Sequence, residues 1–84
     1  MADVKDYSEV VALLREGDWQ AAHEIVQEDE SELGAWAHGI VHMLEGDMAN
    51  AGYWYRRVPR PLPEADAAVQ EIDALAARLA AGAG

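Results

Sequence analysis

"LLREGDWQAAHEIV" (13–26) and "HMLEGDMANAGYWY" (42–55) align without a gap, Gly17-Asp18 on Gly46-Asp47 and Ala22 on Ala51. Each reads as a helix, a two-residue turn and a second helix. Glycine supplies the left-handed residue that closes one helix, and aspartate caps the next. Alanine four residues after the aspartate lets the paired helices approach closely. The copies lie 29 residues apart (17 to 46), a period in the solenoid range.

Working outward, five helices are expected. Asp6 with Glu9 has the capping-box spacing, and Tyr7, Val10, Val11 and Leu14 then fall on one face. Asp18 opens a second helix whose stripe is Trp19, Ala22, His23 and Val26. The acidic run "QEDESE" (27–32) reads as a solvated loop. Ser31 caps a third helix from Leu33 to about Glu45, and Asp47 caps a fourth that runs to Pro59. "PRPLP" (59–63) is a stiff spacer, because each proline holds its predecessor extended. A last helix is expected over 64–80, with Val69, Ile72, Leu75 or Ala76, and Leu79 on one side, and "AGAG" fraying. The fold class is all-α, one domain: hairpins over 6–30 and 31–58, the spacer 59–63, and a C-terminal capping helix.

The second unit resembles a tetratricopeptide or Sel1-like repeat through Gly39, Gly46-Asp47, Ala51, Tyr55 and Pro63, and "WYRRV" (54–58) resembles a common Sel1-like ending. The likeness is good over about 35–63 and weaker over 6–30, where Val10 and Val26 replace a glycine and an aromatic. The short spacing and Val58 in place of a small alanine also depart from the pattern. "AAHEIVQ" with "EGD…NAGYWYRR" is further similar to a group of small bacterial proteins, a likeness that brings no function with it. The repeat resemblance implies a TPR-like right-handed stack of two antiparallel helix hairpins, the last helix shielding its open end. It also implies protein or peptide binding.

Composition narrows the functions. The chain has 84 residues, no cysteine and no phenylalanine, so disulfides, thiolate zinc sites and cysteine nucleophiles are excluded. Its core leans on three tryptophans, three tyrosines and a modest aliphatic set, and so thin a core gains from a partner, including a second copy as a homodimer. A formal charge of −10 repels nucleic acid and anionic lipid. No apolar run approaches the ~18 residues of a membrane span. "MADVKDYSE" (1–9) has no apolar stretch of a secretory signal, so a cytoplasmic protein is expected.

Three of the six basic residues, Arg56, Arg57 and Arg60, stand beside Tyr53 and Trp54. Cations suit the C-terminal end of a helix, and with the aromatics they form a patch of the kind that grips carboxylates. Leu33, Trp36, Ile40, Met43 and Leu44 make an apolar face on the third helix. That face is either a peptide groove or a surface covered by the C-terminal helix or a second copy. The leading expectation is therefore a non-enzymatic protein- or peptide-interaction module binding through Trp36, Ile40, Met43, Tyr53, Trp54, Arg56, Arg57 and Arg60, without a cofactor.

The alternative lies in the histidines. His38 and His42 sit one helical turn apart with Glu45 a turn beyond, a spacing from which one metal can be held. His23 lies on the apolar stripe of the second helix, where a buried imidazole needs a partner for its N–H. If His23, His38 and His42 converge, they form a metal or small-ligand site, or an acid–base cluster. Neither a nucleophile with an adjacent base nor a phosphate-cradling glycine loop is visible.

Overall fold

The computed structural model describes residues 7–83 and is all-α. The helices are α1 (Tyr7–Arg15), α2 (Trp19–Val26), α3 (Glu32–Glu45), α4 (Met48–Tyr55) and α5 (Ala68–Ala83). The expected Asp6 cap lies outside the described residues.

The two glycine-aspartate turns are the same object twice. Gly17 and Gly46 take φ of 79° and 91°. In the first turn Gly17 N–H donates to the Leu14 carbonyl and Asp18 N–H to that of Leu13, at 3.0 and 2.9 Å. In the second, Gly46 donates to Met43 and Asp47 to His42, at 3.1 and 2.9 Å. This crossed pair satisfies the last carbonyls of the outgoing helix. Asp18 then accepts from Ala21 N–H and Asp47 from Asn50 N–H, capping the incoming helix. Ser31 caps α3 by accepting from Gly34 N–H at 3.0 Å.

α3 is the axis of the molecule. It packs against α4 and α2, and α5 lies across α1 and α3. Every residue from Gly34 to Met43 is buried. The helices α3 and α4 come together at Gly39, where an added Cβ would stand 2.6 Å from the Tyr55 ring. Leu14, Val10, Val26, Ile40, Val41 and Leu75 are the largest side chains wholly removed from solvent.

Four expectations need correction. α4 stops at Tyr55 rather than at Pro59, and Arg56–Pro59 form a turn in which Arg57 N–H reaches the Trp54 carbonyl and Val58 that of Tyr55. Pro59 disfavours a helical Val58, so the chain tightens before it. α5 begins at Ala68 rather than at residue 64, since Glu64 and Ala67 close a turn first, Ala67 N–H donating to Glu64 O at 3.0 Å. α5 continues to Ala83, through most of the tail expected to fray. Ile72, Leu75, Ala76 and Leu79 face inward as expected, but Val69 is 65% exposed and Glu71 is buried in their company.

The acidic run 27–32 is exposed as expected, except that Asp29 is half-buried and accepts hydrogen bonds from the Tyr7 hydroxyl and the Ser31 N–H.

The buried Glu71 is explained by its donors. Trp36 Nε1–H and the Tyr55 hydroxyl both donate to its Oε1, at 3.1 and 2.7 Å. Arg60 grips both oxygens, Nε at 3.2 Å and Nη2 at 2.8 Å. Desolvation pushes the Glu71 carboxyl up, but the hydrogen bonds from Arg60, Tyr55 and Trp36 outweigh it and hold it below the usual carboxylate range. Burial, and then the bond to Glu71, raise the Tyr55 hydroxyl far above its ordinary value. An exposed Arg15–Asp73 pair at 2.8 Å also joins α1 to α5, and contributes under about 1 kcal/mol.

Three outcomes follow. Glu71→Ala leaves a guanidinium, an indole N–H and a phenol without an acceptor and costs about 3 kcal/mol in chemical denaturation. Because the folded-state pKa of Glu71 is lowered, its contribution is complete above the unfolded carboxylate value, about 4.3. It is lost as pH falls through the folded value, so the acid limb of the stability curve flattens in Glu71→Gln. Gly39→Ala drives a methyl group into the Tyr55 ring and lowers stability by about 1–3 kcal/mol, read as a drop in Tm.

Candidate functional site

The histidine spacing turns into a cluster because α2 and α3 pack side by side. α3 presents His38 and His42 one turn apart, and α2 brings His23 against them. The His23 ring meets His38 edge-on at 4.7 Å and His42 at 5.6 Å between centroids. His38 and His42 stack at 5.1 Å. One nitrogen from each ring can be chosen so that all three lie within 4.8 Å of one another. The convergence that spacing left open is therefore present.

The three rings have different surroundings. His42 is buried, and its Nδ1 lies 2.7 Å from Glu45 Oε1. The contact with Glu45 engages Nδ1 and leaves Nε2 as the nitrogen open to another partner. His38 is 4% exposed and lies flat on Trp54 of α4, centroids 3.9 Å apart and planes 10° apart. Its Nδ1 is buried with no hydrogen-bond partner. Such a nitrogen is a cost to the fold unless something occupies its lone pair or takes its proton. Burial, and then the neighbouring charges of His23, His42 and Arg57, push the His38 pKa down to about 4. His38 is thus neutral at pH 7, the form in which imidazole donates a lone pair.

A cleft of about 620 Å³ opens between α2 and α3 at this cluster. His23 and His42 line it, with Trp19, Gln20, Glu24, Gln27 and Glu45 around them. A second trio, His42, Glu45 and Asp47, shares ligand atoms at the end of α3. It competes for the same His42 and Glu45 and is more exposed.

The aromatic–arginine residues separate into two groups. Arg60 does not belong to the exposed patch: its guanidinium lies 4.4 Å over the Trp36 ring and is spent on Glu71. Trp36, Ile40 and Met43 are buried within the chain, with α1 and α5 packed against α3, and of the three Trp36 lines a small cleft of about 160 Å³ beside Leu33, Arg60 and Arg78. Tyr53, Arg56 and Arg57 remain exposed. The Arg57 guanidinium sits 5.3 Å over Tyr53 and 4.8 Å over Trp54, and Nη2 donates to the Tyr53 hydroxyl at 3.3 Å. Trp54 packs on His38, a contact for which sequence gave no signal.

Sequence reasoning also missed Glu71, although a carboxylate at residue 71 with Arg60 just across the proline spacer was a hint. No helix among the described residues is long and apolar enough to cross a membrane. Comparisons with family models, with curated proteins and with solved structures give no match.

In the metal-free protein the His38 ring protons are expected to shift in a proton NMR pH titration only as the pH approaches 4. A midpoint near the ordinary value of about 6.5 would show that the ring is solvated.

Proposed function

We propose that the chain is a metal-binding helical domain that holds one divalent transition-metal ion through His23, His38 and His42. The observation that carries this reading is the buried, unpartnered Nδ1 of His38 within a trio of imidazoles whose ligand nitrogens lie within 4.8 Å. Three neutral imidazoles are a donor set suited to zinc, cobalt(II) or copper(II) and poorly suited to magnesium or calcium. Bonds of about 2.0–2.1 Å need the nitrogens roughly 3.4 Å apart, so small ring rotations complete the site. Glu45 on His42 supports the reading, because a carboxylate on the far nitrogen fixes the tautomer and the ring plane of a metal ligand. The acidic surface adds a field that concentrates cations near the chain.

A second reading is a protein- or peptide-interaction module, favoured by Tyr53, Arg56 and Arg57 standing exposed together. The resemblance to tetratricopeptide repeats points the same way. Its surface is smaller than the sequence implied, since Ile40 and Met43 are buried and Arg60, half-buried, is bound to Glu71.

The test is calorimetric titration of tag-free protein with Zn²⁺. One ion per chain is expected, with affinity falling at least about 100-fold in His42→Ala and about 10-fold in Glu45→Gln, where an orienting contact is weakened rather than lost. Arg56→Glu together with Arg57→Glu leaves the stoichiometry at one and abolishes partner capture only under the second reading. No stoichiometric uptake at micromolar Zn²⁺ refutes the metal site.

A further inference from the structure

We propose that an ion held by the histidine trio keeps one exchangeable coordination position, reached through the cleft between α2 and α3, and that this position favours a neutral nitrogen donor, an imidazole or amine, over an anion. This rests on the metal-binding reading above.

The first ground is access. Three side-chain ligands leave a tetrahedral ion one position short, and a closed structural site would need a fourth residue. No other described His, Cys, Asp or Glu shares the mutual reach of His23, His38 and His42, so the described residues supply three. His23 and His42 line the cleft, whereas His38 does not. His38 is instead covered on one face by the Trp54 ring at 3.9 Å. An ion among the three rings is therefore shut off on the α4 side and faces solvent on the α2–α3 side. At about 620 Å³ the cleft admits a ligand larger than water.

The second ground is charge. The cleft carries two carboxylates, Glu24 and Glu45, and two carboxamides, Gln20 and Gln27. Among its lining residues there is no arginine or lysine to hold an anion. The two carboxylates offset a doubly charged ion, so an incoming anion gains little from the metal's charge and meets a chain of net charge −10. A neutral nitrogen donor forms the same coordinate bond without that repulsion. Its remaining N–H can be accepted by a Glu or Gln oxygen, and the Trp19 indole offers a flat apolar wall beside it.

The experiment uses tag-free protein loaded with Co²⁺, whose visible bands report coordination. Imidazole and azide are the probes. Imidazole is expected to shift the bands to a saturating end point with the ion retained, and azide to bind at least about 10-fold more weakly. Glu24→Gln removes one carboxylate that touches no ring of the trio, and should narrow that gap about 3-fold. Bands that imidazole leaves unmoved mean a closed site and overturn the proposal. Azide binding as tightly as imidazole overturns the preference. Failure of the underlying metal reading looks different, since no Co²⁺ bands then form at all.

Discussion

The carboxylate of Glu71 is the point to which the rest of the molecule is tied. It receives the Trp36 indole from α3, the Tyr55 hydroxyl from α4 and the Arg60 guanidinium from the proline spacer, while belonging itself to α5. A buried charge is costly unless fully paired, and here three donors fill its lone pairs. The pairing fixes several features together. It turns Arg60 inward over Trp36, seats α5 with Val69 facing solvent, and closes the apolar side of α3. A domain this small has few aliphatic contacts to spare, and a polar knot of this kind supplies the specificity that a thin core does not.

With one side of α3 committed to α5, the other is left for α2 and α4, and the histidines are on it. The glycine turns fold α1 back on α2 and α3 back on α4, whereas α2 and α3 are joined by residues 27–31. The packing of α2 against α3 is what brings His23 to the rings of His38 and His42. The cluster is a product of one hairpin docking on the other rather than of any local motif.

Much of the fold was legible because its signals are local. Gly17, Gly46, Asp18, Asp47 and Ser31 act through bonds within a few residues of themselves, and the chain uses each as its type dictates. The ends of α4 and α5 were misjudged where distant contacts override propensity: an alanine-rich segment reads as helix from residue 64, yet the start of α5 follows the docking of Glu71. The site was half legible. The i, i+4 spacing of His38 and His42 and the apolar setting of His23 marked all three rings. Their meeting depends on how α2 lies against α3, which no spacing encodes. The bond from Arg60 to Glu71 was hidden for the same reason, since its partner lies beyond a proline spacer on another helix.

The closure by α5 also divides the contacts into two kinds. The hairpin turns pair residues close in the chain, whereas Trp36 and Glu71 are 35 residues apart and Arg15 and Asp73 are 58 apart. Closing loops over such separations carries the larger entropic cost, so the seat of α5 rests on non-local contacts while each hairpin rests on local ones. None of the bonds that make either glycine turn involves α5. The face of α3 that bears Trp36 is in this sense the inner surface of a door, hidden by the one helix that neither hairpin contains.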